Sequence, residues 1–569
     1  MSKNADQLHE TLESVTGVQL AQGIGHTEVQ GFWEEAWSQV LRRPAAVAGI
    51  IWVAIVAFFA IFSPIIASGH PFIAWPMNPD GTVGAMTSPL IDTLKASDVV
   101  LLFWGILAPI LFFFPFKNFD KGPRIRLIIA AGVQSGIMVI LARLVESYFT
   151  ARDASDSIRE IAQSDTFVPI AVAIIALISA LPFIIISILA YQSWARSAFV
   201  LVGAIIMGII ISWKWSPELY GYTYRTKESN GQLRTVYTLI PFSPDQSETP
   251  MYNRAPGSTP MNSMWDSLEL AERVAEDRAA VYSDEELAKM TVTNIHFDRL
   301  RSISVSIDPL TSEPMSAFVD ELQANPPATL IDLREELISH PAPSHHIGTD
   351  TLGQDVFSQM LHACRLAISI GFISTSIAVV IGVTIGSLMG YFGGWVDLLL
   401  YRVVEIFMAI PVLFLLIVAA GVLPPNTYVM MAIIGCFTWT GAARFIRAEF
   451  MKLRETDYIQ AAKAMGLPLW SILFKHMLPN GVTPVLVESS FLIAAAILIE
   501  ATLSFLGLGP TGQASWGSLL RNASGETGSF IWWLAIFPGA AIFLTTLAYN
   551  LIGEALRDAI DPKLKKARV

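Results

Sequence analysis

The feature that most constrains this chain is a recurrence of apolar runs, each close to the length a helix needs to cross a bilayer. Ten can be marked, at 45–67, 99–116, 125–145, 167–191, 197–213, 366–392, 398–422, 428–447, 482–508 and 530–556. A spanning helix takes roughly 20 apolar residues, and a backbone inside lipid must satisfy its own hydrogen bonds. The expected fold is therefore an all-α polytopic membrane protein of about ten transmembrane helices. Composition agrees, with 53% hydrophobic and only 15% charged residues among the 569. The formal charge of −11, with no basic tract, argues against nucleic acid as a partner. Cys364 and Cys436, far apart and in or near apolar helices, read as small apolar residues, not as a disulfide or metal framework.

Loop charges orient the runs. The polar segment 1–44 is too long to be the n-region of a cleaved signal, and its aromatics at 31–43 recur at the spacing of an interfacial helix. Arg42 and Arg43 place the N-terminus in the cytoplasm. After an outer loop at 68–98, Lys117, Lys121, Arg124, Arg126 and Arg196 mark inner connections. Asp153, Asp156, Glu160 and Asp165 mark an outer one, diluted by Arg152 and Arg159. Further on, Arg444, Arg447, Lys452, Arg454, Lys475 and the tail basics of 563–569 all fall inside, so both termini are cytoplasmic. A multi-pass protein of a bacterial cytoplasmic (inner) membrane is expected.

Between the fifth and sixth runs, 214–344 is polar and long enough for a small α+β extracytoplasmic domain. Strand-like runs fall at 235–240 and 302–307, and helix-like ones at 264–282, 283–290 and 316–324. No catalytic constellation appears in it. His296, His340, His345 and His346 lack the fixed spacing of a metal site, and adjacent histidines on an extended chain point to opposite faces, so an ordinary loop is expected.

The segment 457–480, DYIQAAKAMGLPLWSILFKHMLPN, is a polar, basic interruption between the eighth and ninth runs. Asp457 is a good N-cap, and Gln460 three residues later completes a capping box. Ala461, Ala462 and Ala464 favour helix, Gly466 stands at a C′ position and Pro468 forbids continuation. A second short helix near 470–477 is expected to end before Pro479. Small residues at Ala461, Ala462 and Gly466 leave a smooth face that another protein can grip.

This pattern resembles the EAA loop of ABC-importer permeases, which inserts a coupling helix into a cleft of the ATPase subunit. From 341 to 562 the chain resembles the second permease of the peptide/nickel importer family (the DppC/OppC type). Six stretches stand in family order: HHIGTDTLGQDVFS (345–358), GYFGGWVD (390–397), QAAKAMG with LPN (460–466, 478–480), LSFLGLG (503–509), SWG (515–517) and NLIGEALRDAIDP (550–562). Gln460 stands where the motif has Glu, keeping the cap-reaching side chain and losing the charge.

The resemblance implies a type I permease core at 345–562, with Asp457, Tyr458, Gln460, Ala461, Ala462, Gly466, Leu478 and Pro479 as its ATPase-coupling residues. It also implies partners: a homologous second permease, two ABC ATPase subunits that hold ATP-Mg, and an extracytoplasmic solute-binding protein. No cofactor is expected on this chain. The four spans at 99–213 have no family counterpart and read as an inserted accessory module. Since the family core needs only a short outer connection, 214–344 is expected to be dispensable for assembling the pore, with most of it replaceable by a flexible linker.

Three acids, Glu405, Glu488 and Glu500, lie in or beside apolar runs, where carboxylates face a bundle interior or a water path. Structural pairing or pore lining is expected of them; a proton path belongs to the competing picture of a self-contained channel or secondary transporter. Gly382, Gly386 and Gly390 form a small-xxx-small row that permits close helix approach. The chain has no GxxxxGK[ST], no HExxH and no GxSxG, so an enzyme acting alone is rejected. The expected function is import of di- or oligopeptides; nickel chelates and other small solutes share the same motifs.

Overall fold

The computed structural model describes residues 32–78, 80, 82–113, 121–149, 167–189, 194–213, 222–307, 310–311, 314–524 and 530–560. The 1–31 segment, the 151–165 acids, Lys117 and the 563–569 basics lie outside the described residues.

Helix α1 (Phe32–Leu41) turns into α2 (Pro44–Ile66), whose first residue is a proline that needs no N–H partner there. The expected interfacial helix also has a protein partner: Ala36 and Val40 pack against Val487, Ala555, Leu556 and Ala559. Strand β1 (Ile73–Pro76) and the short α3 (Pro89–Thr93) follow in the outer loop. Helices α4 (Ala96–Phe113), α5 (Lys121–Phe149), α6 (Phe167–Leu189) and α7 (Trp194–Trp213) form a bundle around Met138, Val172, Ile175, Met207 and Ile211.

After α8 (Tyr222–Ser229), strand β2 (Leu233–Val236) pairs antiparallel with β1, Ile73 opposite Val236 and Pro76 opposite Leu233. Among the described residues the sheet is this two-stranded ribbon, half of it drawn from the loop at 68–98. The helices α9 (Pro260–Ala275), α10 (Asp284–Leu287), α11 (Asn294–Ile307), α12 (Met315–Ala324) and α13 (Leu330–Ser339) enclose a core of Met261, Met264, Leu268, Leu300, Val319 and Leu333. The strand expected at 302–307 is instead the end of α11. Its alternating Ser and aliphatic residues mimic a strand period, but burial at Phe297, Leu300, Ser304 and Ile307 follows helical spacing and leaves Val305 exposed.

The remaining chain builds the core around α14 (Val356–Phe392), which packs against α2 and five later helices. Asp355 caps it, accepting from the Ser358 N–H at 2.7 Å, so the helix starts ten residues before its apolar run. A run expected to be one span is divided into α15 (Gly394–Ala409) and α16 (Val412–Val422), bent by 81° where Pro411 interrupts the ladder. Next come α17 (Thr427–Thr438) and α18 (Thr440–Arg454), bent by 42°. The chain ends with α19 (Asp457–Ala464), α20 (Leu469–Ser471), a π-helical stretch at Ile472–Met477, α21 (Leu478–Gly481), α22 (Thr483–Phe505), α23 (Trp516–Asn522) and α24 (Trp532–Ile560).

By length and hydropathy α2, α14, α22 and α24 can each cross a membrane, and the two bent pairs bring the number to six. In α4–α7 the apolar stretches among described side chains are shorter, at Ala96–Phe112, Ile128–Ala142, Phe167–Ala180 and Val202–Ser212. The glycine row does what its spacing implies. A Cβ at Gly382 would stand 2.7 Å from Ala442 Cβ, at Gly386 2.5 Å from Ala443 O, and at Gly390 2.5 Å from Phe450 Cβ, so α14 and α18 meet backbone to backbone.

Candidate functional site

The loop at 457–480 starts two residues after α18 ends. Its N-cap position is Thr456, extended at φ −77°, ψ 146°, whose side chain makes no cap bond and donates back to Leu453 O at 2.5 Å. The expected capping box is absent. Gln460 Nε2 donates instead to the Arg454 carbonyl at 2.9 Å, tying α19 to the last turn of α18. Only an amide can make that bond; the carboxylate of the family Glu has no proton to give.

The other end of α19 follows the expectation. Gly466 has φ +72°, its N–H bonds Lys463 O at 3.0 Å, and the Leu467 N–H bonds Ala462 O at 3.2 Å. These are the paired bonds of a Schellman cap, which places C′ in the left-handed region where glycine is at ease. Leu467 then packs into a cluster with Phe450, Ile459, Ala462, Leu473 and Met477.

That cluster corrects the expected smooth face. Ala462 is only 2% exposed and packs inward with Ile459, while Ala461 points out. Nor does Pro479 end the second helix. The chain widens into the π-helical stretch, the Leu478 N–H reaches back to Leu473 O, and Pro479 enters the next α-turn. A widened turn accommodates a proline, which lacks an N–H and crowds the carbonyl four residues back. Leu478 is half-buried beneath the loop.

What the loop exposes is larger than small residues. Met465 is 71% and Trp470 70% exposed, with Tyr458, Leu469 and Phe474 open beside them. Trp470 stacks on Phe474 at 4.7 Å between ring centroids, and Asn480 Nδ2 donates to Tyr458 OH at 3.4 Å. Such an exposed apolar group on a polar loop marks an interaction surface. Its sequence signal was two aromatics at i and i+4 within a basic stretch.

The three acids separate. Glu405 pairs with Arg402 at 2.5 Å on an exposed face. Glu500 is buried and accepts from Ser504 Oγ and Ser515 Oγ, both at 2.7 Å, which binds α22 to the start of α23. Glu488 is half-buried on α22, where Arg444 and Arg557 act on it electrostatically. The structure does not bring the three together.

On the opposite end of α14 lies an anchor that sequence reasoning missed. His345 is fully buried, with Nδ1 2.8 Å from Asp355 Oδ1, Nε2 3.5 Å from Glu248 Oε2, and Phe242 stacked on its ring at 4.0 Å. Burial by itself pulls its pKa down; the Asp355 and Glu248 carboxylates outweigh that and hold it above the ordinary value. Nearby, Arg254 N donates to Thr349 Oγ1 at 2.8 Å, and Trp533 Nε1 donates to Thr349 O at 3.0 Å. Gly353, at φ +72°, lies so close to Glu248 O that a Cβ would stand 2.1 Å from it.

The stretch 240–258 is therefore built into the core. Among the described residues no three His, Cys, Asp or Glu gather as metal ligands.

A bundle of apolar helices, crossed by paired glycine contacts and presenting a capped amphipathic loop, defines a membrane transport permease. The chain belongs to the ABC-importer permease family. Residues 382–566 match the profile of the binding-protein-dependent transport system inner membrane component, and 31–87 match the N-terminal TM domain of oligopeptide transport permease C.

The chain is 37% identical over 232 residues to the glutathione transport system permease protein GsiD of Pectobacterium atrosepticum, 41% of this chain and 77% of that protein. It is 36% identical over 226 residues to the dipeptide transport system permease protein DppC of Alkalihalophilus pseudofirmus, 40% of this chain and 74% of that one. A putative peptide permease of Brucella suis is 35% identical over 300 residues, 48% of this chain and 98% of its own length.

Proposed function

We propose that this chain is one half of the translocation pathway of an ATP-driven importer of di- or oligopeptides in a bacterial cytoplasmic membrane. A homologous permease supplies the other half, two ABC ATPase subunits hold ATP-Mg, and an extracytoplasmic solute-binding protein delivers substrate. The observation that carries this reading is the surface of Tyr458, Met465, Leu469, Trp470 and Phe474, placed on the loop whose motif ties the chain to its family. Names of the relatives, which include glutathione, dipeptide and peptide permeases, support peptides as substrate.

In this reading, closure of the ATPases pushes α19 and the Trp470–Phe474 stack. The tight α14–α18 seam carries that motion into the bundle, which alternates between outward and inward access. Ten spans with both termini inside, α4–α7 among them, put the loop in the cytoplasm and the helices α9–α13 outside. A self-contained channel draws no support from Glu405 or Glu500, whose carboxylates already have partners.

Two measurements test the proposal. Trp470→Ala with Phe474→Ala should insert normally, lose the co-purifying ATPase and abolish peptide uptake; unchanged ATPase recovery would refute the coupling surface. Met465→Cys, on a Cys436→Ala background, should resist an impermeant thiol reagent on intact cells and react in inverted vesicles. Labelling from outside would overturn the topology.

A further inference from the structure

A cavity of about 700 Å3 lies on the seam between the accessory helices and the permease core. That volume is in the range of roughly 300–1,000 Å3 typical of ligand sites. Its lining is ordered by polarity. Along α4 it runs from Lys95, just before the helix, and Ser97 to Val100, Leu101 and Trp104; along α14 from His362 and Arg365 to Leu366, Ser369 and Ile373, so the charged groups gather at one end. The Arg365–Asp98 ion pair ties the start of α4 to the third turn of α14, and Arg365 Nε also donates to Ala60 O at 3.1 Å, so the charged groups of both helices meet at one end of the cavity.

Asp245 and Gln513 complete that end. The deeper wall includes Gly132 and Gly136 of α5, where no atom lies within 4 Å of a would-be Cβ.

The rim carries both signs: Lys95 and Arg365, whose second terminal nitrogen has no hydrogen-bond partner among the described residues beyond its pair with Asp98, and opposite them Asp245. An anionic headgroup would leave Asp245 facing like charge, whereas a zwitterion satisfies both signs. The deeper part suits hydrocarbon better than a peptide backbone, whose amides need partners. Ser135 is already engaged, donating to Ala131 O at 2.7 Å and accepting from Trp104 Nε1 at 2.9 Å.

We infer that this cavity binds one zwitterionic diacyl phospholipid from the outer leaflet, its phosphate at Lys95 and Arg365, its ammonium at Asp245, and an acyl chain along Gly132 and Gly136. The lipid mortars the accessory helices to α14. The inference rests on the proposed topology, which sets α4 and α5 in the membrane with the charged end outward.

The test uses the full complex, delipidated and returned to nanodiscs of phosphatidylethanolamine or of phosphatidylglycerol, with retained lipid counted by native mass spectrometry. One phosphatidylethanolamine per chain should survive detergent extraction, favoured at least tenfold over phosphatidylglycerol. Gly136→Phe, which fills open space, should cut retention at least tenfold. Gly203→Phe, at an equally open position that does not line the cavity, should leave retention unchanged. Asp245→Asn should erase the headgroup preference.

Retention by Gly136→Phe equal to the unsubstituted protein, absence of headgroup preference, or a peptide in place of the lipid would each overturn the assignment. Correct Met465→Cys labelling together with no retained phospholipid would remove the lipid site while leaving the topology standing.

Discussion

Gly386→Ala places a methyl carbon 2.5 Å from the Ala443 carbonyl oxygen and 3.0 Å from Ile446 Cβ and Cγ2. Ordinary contact starts at 3.4 Å, so α14 and α18 must part locally by about 0.9 Å, 3.4 less 2.5. The obstructing oxygen belongs to a helix backbone and cannot rotate away. Overpacking of this kind costs about 1–3 kcal/mol, with a backbone obstacle toward the upper end. Alanine returns about 1 kcal/mol of helix propensity over glycine.

The steric effect wins, by about 1–2 kcal/mol, or a factor of roughly 5–30 in the folded-to-unfolded ratio. Gly132→Ala has the same propensity gain and no neighbour within 4 Å, so it should be neutral or slightly stabilising. Unfolding of the purified proteins in mixed micelles measures both. Because α18 leads into α19 through two residues, Gly386→Ala should also weaken ATPase stimulation. If Gly386→Ala proves as stable as Gly132→Ala, the backbone-to-backbone seam is not what holds these helices.

Four further outcomes are expected. Ala461→Trp should fold and block ATPase docking, whereas Ala462→Trp should lose about 1–3 kcal/mol by overpacking the cluster beneath it, seen as a lower unfolding midpoint. Gln460→Glu should lose the bond to Arg454 O, and denaturation of Gln460→Glu beside Gln460→Ala should find the two equally stable within about 0.5 kcal/mol at this exposed site.

Residues 260–342 should be excisable by a short Gly/Ser linker, because Ser258 and His345 already pair across the gap, with His345 N–H to Ser258 O at 2.9 Å. Glu248→Ala in the retained neck should instead destabilise the assembled protein, read by thermal unfolding. His345, held above its ordinary value near 6.5, should contribute stability fully below about pH 6.5 and lose it as pH rises through the raised folded value. The melting difference between the unsubstituted protein and His345→Gln should shrink accordingly. His70, lowered by burial to about 4, runs the other way, costing stability as pH falls from 6.5 toward 4, so only the difference between the two proteins isolates His345.

What sequence alone determined here is whatever depends on neighbours along the chain. Apolar length marked α2, α14, α22 and α24, Gly466 marked a left-handed cap, and the four-residue glycine period marked the α14–α18 seam; each is local geometry that every fold containing it must respect. Six motifs in order were enough to place the chain in its family. Tertiary structure decided where local signals tie or where partners are distant in sequence.

A hydroxyl at Thr456 and a carboxylate at Asp457 are both good caps, yet the fold places Thr456 at the N-cap position and turns its hydroxyl back to Leu453 O, so neither side chain caps the helix. Ser302–Ile307 alternates like a strand, and burial against α9 and α12 made it helix. Ala461 and Ala462 are identical residues side by side, yet a helix turns about 100° per residue, so Ala462 is buried in the cluster and Ala461 is exposed. His345 looked like loop because its carboxylate Glu248 lies nearly a hundred residues away, and only the folded chain brings a buried charge to its partner.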